Sequence, residues 1–553
     1  MAWHATLVMA LAILSRLTGV IRQSVIAARF GTSDAKAAYD LAFRIPDTIY
    51  LLVIGGALGS VFIPVFTSYI AKKDDTGAWR LASTVFNLAV AIALVTASLA
   101  FILAPWLVRW FVAPGFAKSF VGTILSRPWL ARQIVPGLTD PGGLPATAQL
   151  DLTVKLVRLL LLQPILLGIG GLAMAVLNAF RRFMLTALAP VVYNLGIIAG
   201  ALFLAPRWGI YGLVAGVLAG AGLYVLVMLP GLARCRMRYT LSFEWKDAGV
   251  REVGRLLGPR LLGQMFFQLN FIIIGALASF QGSVAVTALE YAYRLLYLPL
   301  GILGVSLGSV AFPTLAELAN KDRMDDFRDT LTRILRAVLF LSLPATTLLF
   351  VLRTPVIRLL FERGEYAAAD TTATAQAFFF FIFELTAASV LENVVRAFYA
   401  LHDTRTPVFV GGSALVLNII VGISLLPLMG FPALALGFSL ATIAQAGVMI
   451  YLLRQRIGGI GGTALLRSGV RSLAAALLAA VAVTLTWSWI EGFLPGDQLI
   501  TQFLRLSIAG VFGGGLYLAA AAILRSPEIR EAWDLVWRRI RPHRDQGPPG
   551  LQG

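Results

Sequence analysis

Charge is what this chain has least of. Asp, Glu, Lys and Arg make up 13% of its 553 residues, about half the share found in a soluble domain. With 58% hydrophobic residues and a mean hydropathy of +0.81, a conventional soluble fold is excluded and the chain belongs in a bilayer. Cysteine is nearly absent: Cys235 stands alone, so there is no disulfide framework. The histidines are His4, His402 and His543, too few and too scattered for a metal-spaced cluster. No GxxxxGK[ST] loop cradles a phosphate, which excludes ATP-driven work by this chain alone. No nucleophile–base constellation is present, so an enzyme is not expected. The apolar runs also lack period-two alternation, which argues for helices and against a barrel.

What is present is a succession of about fourteen apolar segments, each near the length of one crossing. They lie near 5–28, 38–70, 81–108, 153–178, 186–205, 210–230, 255–279, 287–316, 331–352, 373–400, 408–426, 432–453, 469–490 and 501–524. The expected fold is all-α, a polytopic membrane protein of two six-helix lobes plus two C-terminal helices. Residues 5–14 resemble the apolar core of a signal peptide, but Ser15-Arg16 is no small-residue cleavage site and no cationic region precedes it. The segment reads as an uncleaved first helix.

The net charge of +18 does not point to nucleic acid, because the basic residues sit mainly at helix ends and joints. With the N-terminus inside, Lys72, Lys73, Arg80, Arg181, Arg182, Arg234, Arg236, Arg238, Lys246, Arg251, Lys321, Arg323, Arg328, Arg454, Arg456 and Arg467 fall on the cytoplasmic side. The tail from Arg525 to Arg544 joins them, whereas the short outer joints hold only Arg207. This asymmetry predicts cytoplasmic termini. The long outer loop at 105–152 runs against it, with Arg109, Lys118, Arg127 and Arg132.

One passage is written twice. Asp40, Arg44 and Leu58-Gly59-Ser60-Val61 to Pro64 recur as Glu290, Arg294 and Leu307-Gly308-Ser309-Val310 to Pro313, with 250 residues between the acids and 249 between the LGSV motifs. Ala179-Phe180 before Ala189-Pro190 recurs as Ala397-Phe398 before Thr406-Pro407, and Gly209 and Gly216 recur as Gly430 and Gly437. The offset there is about 30 residues smaller, which the longer 105–152 loop accounts for. The chain therefore divides into an N-terminal lobe (1–232), a cytoplasmic linker (233–252), a C-terminal lobe (253–455), helices 13 and 14 (456–525) and a basic tail (526–553). The lobes are expected to be parallel repeats about an axis along the membrane normal. In the tail, 528–541 reads either as a short interfacial helix carrying Trp533 and Trp537 or as a charged topogenic segment.

Charges inside apolar segments mark function by default. Arg16 and Arg22 in the first helix lie about 120° apart around it, flanking one side. Asp40 and Arg44 are four apart with the acid first, the favourable order for a helical ion pair, and Glu290 and Arg294 repeat the spacing. Such a pair serves either to neutralise a helix crossing lipid or to hold an arginine ready for an anion. Glu384, Glu392 and Arg396 stand in the tenth segment, the last two again four apart. Gln163, Asn178, Asn194, Gln264, Gln268, Asn270 and Asn418 are also at membrane depth, where amides more often join helices than bind ligands.

These residues resemble a known family, the lipid II flippases of the MurJ (MviN) type within the multidrug and polysaccharide exporter superfamily. The resemblance covers about 10–525 and is carried by Ser15-Arg16-Leu17-Thr18-Gly19-Val20-Ile21-Arg22, Ala42-Phe43-Arg44-Ile45-Pro46, the run Tyr291 to Pro313, Leu360-Phe361-Glu362-Arg363-Gly364-Glu365-Tyr366, and Ala397-Phe398-Tyr399-Ala400 with Thr404-Arg405-Thr406-Pro407-Val408. It implies translocation of undecaprenyl-pyrophosphate-linked peptidoglycan precursor to the outer leaflet of the bacterial cytoplasmic membrane, for cell-wall synthesis. It also implies a cationic central cavity in which Arg16, Arg22, Arg44 and Arg294 meet the pyrophosphate. The expected partners are that lipid-linked glycan, the bilayer and cell-wall synthesis enzymes, with no cofactor, a monomeric state, and coupling to the membrane potential or an ion gradient.

The chain departs from the family at Ala37, Gly55, Tyr293 and Tyr297, where acidic residues are common, at Gln23, where Asp is usual, and at Tyr50-Leu51, where an Arg pair is common. Asp40 and Glu290 are this chain's own arrangement. Alternatives are a flippase for another polyprenyl-linked glycan, a multidrug-type cation antiporter, which predicts an acidic cavity lining instead, and a transport-incompetent scaffold of wall synthesis.

Overall fold

The computed structural model describes residues 2–53, 57–117, 146–235 and 237–529. Among them the regular structure is helical throughout. The first stretch holds α1 (Ala2–Phe30), α2 (Asp34–Ala42), α3 (Arg44–Val53), α4 (Ala57–Ala71) and α5 (Asp75–Leu107). There follow α6 (Ala146–Leu160), α7 (Leu162–Ala179), α8 (Phe183–Ala199) and α9 (Ile210–Arg234), then α10 (Ala248–Ser279), α11 (Ser283–Leu300), α12 (Leu307–Asn320) and α13 (Met324–Phe361). The last are α14 (Ala368–Ile382), α15 (Glu384–Ala400), α16 (Arg405–Met429), α17 (Pro432–Ile457), α18 (Gly462–Phe493) and α19 (Leu499–Ile523).

By length and composition, 11 helical spans among the described residues can cross a membrane, or 12 when α14 and α15, bent by 45° at Phe383, count as one. The two remaining expected segments differ for identifiable reasons. Segment 38–70 is described as α2, α3 and α4, with residues 54–56 between the last two outside the described residues. Pro46 has no N–H to offer the carbonyl of Ala42, and the boundary of α2 and α3 falls between them, at Phe43. Segment 255–279 lies within the 32-residue α10, whose apolar part is only Gln264–Ser279. The outer loop is shorter than 105–152: α5 continues through a π-helical turn to Val112 and α6 begins at Ala146. The remainder of that loop, 118–145, and most of the basic tail, from 530 onward, lie outside the described residues.

The chain forms two compact units: 1–293 with 360–378 and 408–441, and 294–359 with 379–407 and 442–553. In the first, Phe62 and Phe66 of α4, Trp79 of α5 and Phe180 at the end of α7 stack with ring centroids 5.1–5.9 Å apart. Small residues bring α8 and α9 together: a Cβ on Gly196 would lie 2.5 Å from Gly220 Cα, and one on Gly216 would lie 2.6 Å from Gly200 Cα. Without a hydrophobic drive between helices in lipid, such close backbone approach supplies the packing. The repeat expected from sequence reappears here. Gly209 and Gly430, at φ 56° and 68°, both occupy the left-handed region that glycine tolerates, and a Cβ on Gly437 would lie 2.9 Å from Gly422 N as α16 meets α17.

In the second unit, Ala475, Ala476, Ala479 and Val483 of α18 face Tyr517, Ala520, Ala521 and Ala509 of α19. The Tyr517 hydroxyl donates to the Phe340 carbonyl at 2.6 Å. Arg336 of α13 and Ser468 of α18 both bond Glu528, each at 2.7 Å, which ties the end of the described chain to two helices.

Candidate functional site

In the first unit the membrane-depth charges are held by named partners. Arg22 of α1 donates through Nη1 to Asn194 Oδ1 of α8 at 2.9 Å. The Asn194 amide in turn donates to the Ser15 carbonyl at 3.2 Å and the Thr18 hydroxyl at 3.3 Å. One amide thus clips two turns of α1 and aims an arginine. In the second copy Asn418 of α16 donates to Asn270 of α10 at 2.5 Å, so the same pair of segments is tied in both copies. Arg16 is exposed on α1, and no hydrogen bond or ion pair to it is found among the described residues.

The ion pair expected between Asp40 and Arg44 is not the one formed. Phe43, between α2 and α3, keeps helical φ/ψ of −66° and −22°, and its N–H still bonds the Tyr39 carbonyl at 3.2 Å, so the change of partner comes from what each side chain meets and not from a lost helical spacing. Arg44 Nη2 instead binds Glu290 Oε2 of the second copy at 2.5 Å, with side chains 20% and 9% exposed. The guanidinium also stands 5.4 Å from the centroid of the Phe271 ring. Asp40 binds Lys36, one turn earlier, with both side chains at most 2% exposed.

Lys36 was not singled out in the sequence, although its spacing to Asp40 was there to be seen. Its ammonium also lies 4.6 Å from the Tyr291 ring centroid, and the Tyr291 hydroxyl donates to the Gly31 carbonyl at 3.3 Å. Around this pair is a polar cluster that hydropathy does not reveal. Thr32 donates to Asp370 at 2.6 Å, Glu365 N donates to the Ala28 carbonyl at 2.8 Å, Ser283 donates to Asp34, and Gln149 donates to Ser283 at 2.7 Å. Asp34 and Ser283 are 249 residues apart, the offset of the LGSV repeat.

In the second unit, Arg294 is half-buried on α11. Glu392 and Arg396 lie on the unbroken α15 and pair as spaced, at 3.5 Å. Gly308 of the second LGSV leaves room for them: a Cβ there would run into Arg396 Nη1 and lie 3.0 Å from Asn393 Oδ1. Glu384, buried at the start of α15 just past the bend, accepts from the Thr442 hydroxyl of α17 at 2.8 Å. No group of three or more His, Cys, Asp or Glu able to hold a metal occurs among the described residues.

A buried arginine with one carboxylate partner retains donors for a second anion, since a guanidinium offers five N–H groups. Arg44 has this arrangement. Lys36, fully enclosed, does not.

Comparison with known proteins gives a consistent result. The family model for the lipid II flippase MurJ matches residues 26–504. The chain is 27% identical over 522 residues to a probable lipid II flippase MurJ of Rhizobium tropici, covering 93% of this chain and 92% of the relative. It is 28% identical over 450 residues to the lipid II flippase MurJ of Burkholderia cenocepacia, covering 80% and 82%. The solved inward closed conformation of a lipid II flippase MurJ superposes with a TM-score of 0.71 at 20% identity, covering 95% of this chain and all of that one. The inward-facing conformation of a multidrug resistance MATE family transporter of the MOP superfamily gives 0.61 at 14% identity, covering 82% and 98%. The structural likenesses establish the fold, and the match along most of the sequence establishes the kinship: the chain belongs to the lipid II flippase MurJ family.

Proposed function

We propose that this protein carries lipid II, the undecaprenyl-diphosphate-linked precursor of peptidoglycan, from the inner to the outer leaflet of the bacterial cytoplasmic membrane by alternating access. Family membership supports the class of cargo. The observation that carries the chemistry is Arg44, an arginine at membrane depth, one-fifth exposed and held by Glu290 at 2.5 Å. A diphosphate is a dense anion with many acceptor oxygens, and guanidinium forks match it in geometry as well as in charge. In this reading Arg16, Arg22, Arg44 and Arg294 bind the diphosphate in a central cavity, and Glu290 holds Arg44 until cargo takes its place. Asp40 is paired with Lys36 and Glu392 with Arg396, so neither pair contacts the cargo in this reading.

The chain makes fourteen crossings, the α2–α4 segment and α10 supplying the last two, with both termini in the cytoplasm. Two six-helix lobes rock against each other, as parallel repeats allow. The protein is a monomeric carrier and not an enzyme. It uses no cofactor, and the membrane potential or an ion gradient drives it. A cation antiporter is the second reading, favoured by the MATE-like fold; arginines where such a carrier needs acids count against it.

The test is an accessibility assay for lipid II at the outer leaflet of cells depleted of this protein and holding no second flippase. Loss of outer-leaflet lipid II is expected, and undiminished flipping would remove the proposal.

A further inference from the structure

Between α9 and α10 the chain from Met237 to Lys246 lies along the first turns of α5, and its two sides differ. The side facing α5 is hydrogen-bonded. Asn87 Nδ2 donates to the carbonyls of Thr240 and Ser242 at 3.1 and 2.8 Å, and Thr240 N donates to Ser83 Oγ at 3.1 Å. Thr84 donates to Ser242 Oγ at 3.0 Å, and the Tyr239 hydroxyl donates to Asn87 Oδ1 at 2.7 Å. Ser83, Thr84 and Asn87 are thereby buried.

The other side is apolar and bare. Leu241 is 78% exposed, Phe243 50% and Trp245 64%, at every second position. A segment pinned by its backbone, with large hydrophobic side chains all turned outward, has its partner outside the protein.

The depth of the segment says what that partner is. Arg80 is the last charge on α5 before Arg109, and the outward-facing apolar band of α5 begins at Ile92, continuing through Val95 and Ile102. Ile92 lies five residues past Asn87, about 7.5 Å along the helix at 1.5 Å per residue. That is about the thickness of one headgroup layer, given a core of about 30 Å in a membrane of 40–45 Å. The segment beside Asn87 therefore lies at the outer edge of the headgroup layer, the membrane–water interface where aromatic residues concentrate.

The nearby charge is positive. Glu244 is engaged by Arg80 at 3.9 Å, and Asp247 caps α10 by accepting from Gly249 N and Val250 N at 2.9 and 3.2 Å. Arg234, Arg238, Lys246 and Arg251 are exposed, against Glu252. Lys246 reaches over the Trp245 ring at 5.5 Å from its centroid, as a lysine at a membrane surface does.

We propose that residues 237–246 are a lipid anchor: Leu241, Phe243 and Trp245 enter the headgroup layer, and Arg234, Arg238, Lys246 and Arg251 bind anionic phospholipid headgroups of that leaflet. The anchor fixes α5 to one membrane face. It rests on the membrane placement of α5 and is independent of the cargo.

The test is nitroxide depth measurement on the full chain, reconstituted in phosphatidylcholine with or without phosphatidylglycerol. Labels go at L241C and F243C in a C235A background, with K72C as the aqueous reference and I102C as the bilayer reference. L241C and F243C are expected to favour oxygen over a water-soluble nickel complex several-fold more than K72C does, and to move deeper when phosphatidylglycerol is added. Replacing R234Q, R238Q, K246Q and R251Q together should abolish that second shift while leaving the depth in phosphatidylcholine. Labels at L241C and F243C as accessible to nickel as K72C, with I102C protected, would overturn the anchor, including the case where another protein covers this surface. Depth without a phosphatidylglycerol shift would overturn the anionic-lipid assignment. A water-accessible I102C would instead overturn the membrane placement itself.

Discussion

The same four-residue spacing of acid and arginine ends in two different ways. On α15 the helix is continuous, and Glu392 and Arg396 close on each other at 3.5 Å, with Gly308 making room for the guanidinium. On the second apolar segment the helical path runs on through Phe43, with the hydrogen bond that Pro46 cannot donate missing. Asp40 there takes Lys36, and Arg44 reaches Glu290, 246 residues away. Spacing therefore proposes a pair, and the charges that each side chain meets decide it. The consequence is functional as well as geometric. A pair closed within one helix is part of that helix, whereas in the proposed mechanism the Arg44–Glu290 pair opens to take an outside anion.

The comparison breaks most visibly in activity. Arg294→Ala and Arg44→Ala are each expected to abolish complementation of a depleted strain at unchanged protein level, while Arg396→Ala complements; the readout is colony formation with immunoblotting. Retained function in Arg294→Ala would take that residue out of the site.

Next in size is the enclosed pair. Lys36→Ala strands a buried Asp40, which costs about 3–5 kcal/mol, measured as loss of thermal stability in detergent. Removing both charges, as in Lys36→Met with Asp40→Leu, should recover most of that loss, because the penalty belongs to the unpaired charge.

Pro46→Ala sharpens the comparison directly, since it restores the N–H that the Ala42 carbonyl lacks. The added hydrogen bond is expected to stiffen the helical path through Phe43, with a several-fold drop in flipping read as outer-leaflet lipid II. Gly308→Ala should leave flipping intact but crowd Arg396 and Asn393 at a cost of about 1–3 kcal/mol, visible in the same thermal assay.

The smallest effect is in acid. Asp403, in the turn between α15 and α16, is buried, which pushes its carboxyl up. Donation from the Thr406 backbone and hydroxyl, with Arg456 and the Arg405 N–H, outweighs this and holds the group below the ordinary carboxylate range. Its contribution to stability is therefore fully present above about pH 4, the unfolded value, and is lost as pH falls through the lowered folded value. Asp403→Asn should flatten that part of the pH–stability curve.

Much of the fold was legible because lipid imposes it: apolar runs of crossing length have to be helices. The duplication was legible too, and Gly216 and Gly437 fall at matching helix contacts as the offset implied. The amides at Asn194, Asn270 and Asn418 were read as helix joiners, and the structure bonds them to other helices. What escaped was pairing at long range. Nothing local to Arg44 points to Glu290, because that contact depends on how α2, α3 and α11 approach. Lys36 escaped for a different reason: a lysine near the end of an apolar run reads as a charge reaching water, and only burial shows that it does not. The hydrogen bond missing at Pro46 was visible in the sequence; the partner Arg44 takes was not.

The claim that Arg44 exchanges Glu290 for the diphosphate of the cargo is tested most directly by binding of undecaprenyl diphosphate to purified Arg44→Ala and Arg396→Ala proteins. A lost charge-assisted hydrogen bond costs about 1.5–3 kcal/mol, about 10- to 150-fold in affinity. Arg44→Ala should weaken binding by that factor while Arg396→Ala leaves it within about twofold of the parent. Equal affinities for the two variants would contradict the account.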